Sequence, residues 1–181
     1  MNQSVNPSAI RSREMLTEAL LMLMQKKSYQ EISIKDIATK ADLNRRTFYR
    51  NFESKDDIIF AYGNELVSQL GTMIQSKGDF SFFAICESYF EFWLLNLDFL
   101  MLLKKNNMLY FLFEQFNHFH NKLHLFLPAS HEHVNNGYYS AAFTLGGFWS
   151  ILVEWLNNEA KQTPHYMATL ICHTIKDPFA Q

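Results

Sequence analysis

Residues 42–52 read DLNRRTFYRNF and set Arg45, Arg46 and Arg50 close together, with Thr47 and Tyr49 between them. A guanidinium presents a planar fork of N–H donors that fits a phosphate or the O6/N7 edge of guanine. Thr47 adds a hydroxyl and a methyl, and the phenol of Tyr49 has the reach for a phosphate oxygen. No nucleophile–base pair and no paired-carboxylate motif is found in the chain, so the chemistry on offer is recognition of a polyanion rather than catalysis.

The distribution of charge agrees. Net charge is −2 overall, yet residues 1–55 hold 10 Lys+Arg against 6 Asp+Glu, and residues 56–181 hold 6 against 12. The front of the chain is therefore +4 and the remainder −6, an asymmetry expected of a molecule whose front meets a polyanion and whose rear does not.

The elements that position the arginines are helices. Glycine (6) and proline (4) are scarce and phenylalanine is abundant, which points to an all-α fold. Pro7 suits a first helical position, and Ile10, Leu16, Leu20, Leu21 and Met24 follow at near-helical spacing, so the first helix is expected over about 7–26. Ser33 with Asp36 forms a capping-box pattern for a second helix to about Lys40, with Ile34, Ile37, Ala38 and Ala41 on one face. After the short interruption at 41–43, Asn44 is a good N-cap for a third helix from Arg45 to about Asn51. Two short helices joined by a tight turn make a helix-turn-helix. On the third helix Phe48 and Phe52 form the inward side, which puts the basic side outside. At ~1.5 Å per residue that helix is about 10 Å long, short enough for a major groove about 12 Å wide. Ser54, Asp56 and Asp57 start a long fourth helix.

The stretch ISIKDIATKADLNRRTFYRNFESKDDII resembles the DNA-binding domain of the TetR family of bacterial transcriptional regulators, whose pattern closes its helix-turn-helix on T-[LF]-Y-x-x-[FY] followed by x-[SN]-K. The likeness covers residues 9–60. It implies Arg45, Arg46 and Thr47 as base-facing residues, Tyr49 and Lys55 as phosphate contacts, Ser33 and Lys35 as backbone contacts at the start of the second helix, and Arg50 at the rim. Asp42 stands where the family often has glycine, and Asp is one of the residues that tolerates left-handed geometry. The resemblance further implies a regulator, most often a repressor released by a small molecule. The competing reading is a TetR-like co-regulator that acts through protein contacts without binding DNA.

The break SKGDFS at 76–81 separates the fourth helix from a second, more apolar region. The expected division is a helix-turn-helix domain over 1–55 and a larger helical effector-binding and dimerisation domain over 56–181. FFAICESYFEFWLLNLDFLMLLKKN reads as a helix apolar nearly all round, hence buried in a bundle. LYFLFEQFNHFHNKLHLF reads as another helix, followed by helices over about 138–158 and from Pro164 to about Ile175. Ala142, Gly146 and Ser150 recur at four-residue steps, with Leu145, Trp149 and Val153 around them. This stripe is expected to form half of a four-helix homodimer interface that places two recognition helices roughly 34–36 Å apart on near-palindromic DNA. Trp93, Tyr110, Phe113, Phe116 and Trp149 are candidates to line a cavity for an apolar or aromatic effector.

No cofactor is expected. His120 and His124 are four apart, with His118, His131 and His133 near, but no H-E-x-x-H pattern is present and no metal site is expected. Cys86 and Cys172 lie far apart and outside any C-x-x-C pattern, as in a reducing compartment. The first residues lack a signal-peptide pattern and no uncharged apolar run approaches about 20 residues, so a cytoplasmic protein without a membrane partner is expected.

Overall fold

The computed structural model describes residues 7–115 and 134–174, with the backbone alone for 134–141. Among the described residues every regular element is a helix: α1 (Pro7–Lys26), a 3-10 turn (Tyr29–Glu31), α2 (Ile34–Lys40), α3 (Arg45–Asn51), α4 (Lys55–Lys77), α5 (Phe82–Leu95), α6 (Leu97–Lys105), α7 (109–115), α8 (Val134–Asn157) and α9 (Pro164–Thr174). The all-α expectation holds. No described helix is long and apolar enough to cross a membrane.

Side-chain caps set the starts of the front helices. Ser33 and Ser54 each form a capping box, with Asp36 and Asp57 at the third helical position, and the Asn44 side chain accepts from the Thr47 amide. Each cap satisfies amides that a helix N-terminus otherwise leaves without partners. The end of α2 closes through Leu43 N–H to the Ala38 carbonyl (2.9 Å) and Asp42 N–H to the Thr39 carbonyl (3.2 Å), with Asp42 at φ 53°. That left-handed turn folds α3 back across α2.

α1 buries Leu16, Leu20 and Met24 along one stripe, and these meet Ile37 of α2, Phe48 and Phe52 around α3, and Ile58 and Ile59 of α4 in one continuous core. α4 then runs on into the rear bundle, where Phe60 packs on Phe111 and Tyr62 on Phe99. Farther back, α5 is the central element. α9 lies along it, and α8 meets it through Phe82–Phe148, Tyr89–Phe148 and Phe90–Trp155 ring contacts. Burying each such side chain contributes roughly 1.5–3 kcal/mol.

The segment expected to form one buried helix from residue 82 onward is two helices, broken at Asn96. The Asn96 side-chain amide donates to the Phe92 carbonyl at 2.8 Å, so the side chain competes for the backbone acceptors at the end of α5. Nor is this segment buried all round: Leu95 is 80% exposed, and Leu94 and Met101 are also exposed.

Candidate nucleic-acid interface

α3 presents its polar side outward because its apolar side is fixed. Phe48 is fully buried and packs on Phe52 with ring centroids 6.2 Å apart. Arg45, Arg46, Tyr49 and Arg50 are then exposed, in two rows of residues four apart. In the first row the Arg45 guanidinium lies over the Tyr49 ring, 5.9 Å from its centroid, and Nη2 donates to the phenol oxygen at 3.4 Å. The two side chains therefore hold each other in position. In the second row Arg46 and Arg50, like Lys35 at the start of α2, make no hydrogen bond or ion pair with any described residue. Arg50, expected at the rim, thus stands in the same row as Arg46.

Two hydroxyls in the expected set are already engaged in capping. Thr47 Oγ1 donates to Asn44 Oδ1 at 3.1 Å, and Ser33 Oγ donates to Asp36 Oδ2 at 2.8 Å. The Asp36 carboxyl is held well below the usual carboxylate range by the Ser33 amide first, then by the Lys27 ammonium at 2.9 Å and the Ser33 hydroxyl.

Lys55 requires a correction. Its ammonium is turned into the protein: Nζ donates to the Tyr29 carbonyl at 2.6 Å and the Ile32 carbonyl at 2.9 Å, and it sits 4.2 Å from the centroid of the Tyr29 ring. A cation at a helix N-terminus opposes the helix dipole, and these acceptors offset that cost. Desolvation lowers its pKa, with Asp56 opposing the shift. Next to it the Tyr29 hydroxyl donates to Asp56, and burial, aided by that carboxylate, raises the phenol pKa so that it stays a donor.

No sequence pattern points to Arg13 of α1. Its Nη1 donates to the Asn51 carbonyl at 2.9 Å and its guanidinium covers the Phe52 ring at 4.3 Å. A cation at the C-terminal end of α3 complements the helix dipole, and the contact ties α1 to α3. Partner and cation are 38 residues apart, so no local pattern signals the contact.

Behind this unit, the residues expected to line an effector cavity fall into different surroundings. Phe113 and Trp149 come together, half-buried, with ring centroids 5.2 Å apart. Trp93 is fully buried among Tyr89 and Phe92 as core. Tyr110 is 58% exposed and packs on Phe111 with the two rings tilted. Phe116 lies outside the described residues, as do His118, His120, His124, His131 and His133. Along α8, Ala142 and Ser150 are exposed, Leu145, Trp149 and Val153 are half-buried, and a Cβ added at Gly146 or Gly147 would meet nothing within 4 Å. Phe143 beside them is 73% exposed, and Tyr166 and Leu170 of α9 are exposed as well.

Two family patterns match this chain. Residues 16–62 match the bacterial regulatory proteins of the tetR family, and residues 81–177 match a transcriptional regulator C-terminal region. An uncharacterized HTH-type transcriptional regulator of Bacillus subtilis (strain 168), YvkB, is 32% identical over 65 residues, which make up 35% of this chain and 34% of that protein. The chain thus matches about a third of that relative's length. The fold is similar to that of a fatty acid degradation regulator, FadR, from Bacillus halodurans, with a TM-score of 0.67 over 99% of this chain and 100% of that one, at 12% sequence identity.

Proposed function

Because the chain belongs to the TetR family of bacterial transcriptional regulators, we propose that it binds a near-palindromic DNA site as a homodimer and represses transcription until a small apolar or aromatic effector releases it. The observation that carries this reading is the outward row of Arg46 and Arg50 beside the paired Arg45 and Tyr49, on a helix anchored from beneath by Phe48. Arg45, Arg46 and Thr47 face the bases in this reading, Thr47 through its methyl, because its hydroxyl is bonded to Asn44. Tyr49, Arg50 and Lys35 meet phosphates. Ser33 serves through the start of α2 rather than through its side chain.

Residues 1–55 act as the DNA-binding domain and residues 56–181 as the effector and dimer domain. The small-residue side of α8 with its exposed Phe143, together with Tyr166 and Leu170 exposed on α9, supports a self-association surface. Phe113 and Trp149 support an apolar site between α7 and α8. The effector acts by binding more tightly to a dimer state whose recognition helices no longer fit the groove spacing.

The test is a footprint of the purified protein on the intergenic DNA beside its own gene, run with sedimentation of the complex. Two protected half-sites about one helical turn apart, bound by a dimer, are expected. Absence of protection, with the protein instead recovered on another regulator, would select the co-regulator reading.

A further inference from the structure

The buried polar side chains among the described residues, aromatics aside, are Ser12, Ser88, Asn106 and Gln115, and none is charged. Ser12 donates to the Ser8 carbonyl at 2.8 Å, and Asn106 accepts from the Tyr29 amide and donates to the Leu102 carbonyl, each at 2.9 Å. Ser88 and Gln115 make no such bond with any described residue. Gln115, at the end of α7 and only 3% exposed, has the greater demand of the two. A primary amide brings two donors and a carbonyl acceptor, and burying it unbonded carries a cost that folded proteins generally avoid.

The stem of Gln115 lies against α4 at a glycine. A Cβ at Gly63 would sit 3.3 Å from Gln115 Cγ and 3.9 Å from Leu112 Cδ1, so any larger residue there would press on the glutamine. Gly63 stands in the interior of a 23-residue helix, where glycine is less favourable than alanine. Around this crossing, Phe111 of α7 packs on Phe60 of α4, and Phe113 meets Trp149 of α8. Residues 111–115 thus carry aromatic contacts to both neighbouring helices and one buried amide with no partner among the described residues. Two local rules, one on glycine and one on buried amides, are broken at the same place, as happens where a site takes precedence over stability.

We propose that Gln115 is the polar contact of the effector site, and that the effector is an uncharged amphipathic molecule with an apolar or aromatic body and one amide or hydroxyl group that Gln115 bonds. The assignment rests on the effector reading and names the chemistry that the same site selects. Charge is decided by desolvation. No charged side chain is buried among the described residues, so an ionised carboxylate or amine would enter without a counter-charge, whereas a neutral group is compensated by its hydrogen bond. A molecule lacking that group leaves the glutamine amide unpaired and is rejected.

The test titrates the full chain calorimetrically with naphthamide, methylnaphthalene and naphthoate, substituted at the same ring carbon. The three share one body and differ in a neutral polar, an apolar and an anionic group. The wild-type chain should bind naphthamide at least about 10-fold more tightly than methylnaphthalene, and naphthoate most weakly. In Gln115→Met the preference for the amide disappears, and the variant without any probe melts about 2 °C or more above the wild type, because an unpaired amide has been removed. Gly63→Ala keeps the amide but displaces its stem, so it reduces the preference in part and serves if Gln115→Met does not fold. Equal binding of naphthamide and methylnaphthalene, a preference for naphthoate, or an unaltered preference in a folded Gln115→Met would overturn the assignment. So would a melting temperature that does not rise in probe-free Gln115→Met, which would show the amide already satisfied within the protein or by water. If none of the three binds the wild-type chain, the aromatic-effector reading fails, and the melting comparison still decides whether Gln115 is held unpaired.

Discussion

The front and rear of this molecule are built by different means. In the front unit, helices are started by side-chain caps at Ser33, Asn44 and Ser54, and the two short ones, α2 and α3, are joined by a left-handed residue at Asp42. In the rear bundle, the helices are held mainly by large aromatic contacts centred on α5, such as Phe90–Trp155 and Tyr89–Phe148. Local chemistry sets the angle of a recognition surface, whereas packing sets a volume. The contrast suits a rigid reader of a regular polymer joined to a bundle in which aromatic surfaces meet.

Substitutions should respect that division. The largest effect is expected from Trp93→Ala in the rear core, with a loss of about 3–5 kcal/mol measured by urea unfolding. A loss under 1 kcal/mol would mean that the rear core is not the close-packed body described. Next comes Asn44→Ala, which removes the cap of α3 and the partner of the Thr47 hydroxyl. About 1 kcal/mol of stability should go with it, and DNA affinity should fall as the recognition helix frays. Equal affinity in the two proteins would show that this cap does not hold the surface.

Asp42→Gly runs the other way. Glycine takes φ 53° without the Cβ penalty, so a gain of up to about 1 kcal/mol is expected in the same unfolding assay. The smallest effect appears only in acid. The folded-state pKa of Asp36 is depressed, so its contribution is complete above roughly pH 4 and declines as pH falls. Asp36→Asn should lose that contribution at neutral pH and show a shallower acid limb in a stability–pH profile. Parallel acid limbs in the two proteins would remove Asp36 from the account.

The same division explains what was legible in the sequence. The bounds of α1, α2 and α3 follow from Pro7, Ser33 and Asn44, because a cap is a signal within three residues. The break at Asn96 was not legible, since both flanks are apolar and asparagine is only a weak interrupter. The engagement of Lys55 and Arg13 was hidden for another reason. Their partners lie 23 to 38 residues away, and motif position assigns a lysine to DNA without registering the carbonyls that claim it. In the rear, Phe113 and Trp149 meet, but apolarity alone could not distinguish the buried Trp93 from the exposed Tyr110.

The central claim is that the outer side of α3 reads DNA, and the most direct measurement is operator affinity by fluorescence anisotropy for the wild-type chain and for Arg45→Ala combined with Arg46→Ala. Both arginines are exposed, so the melting temperature should be nearly unchanged. Losing two arginine contacts at about 1–3 kcal/mol each should weaken binding by roughly 100-fold or more. The salt dependence should also become shallower if either arginine neutralises a phosphate. Undiminished affinity in a folded double variant would contradict the account.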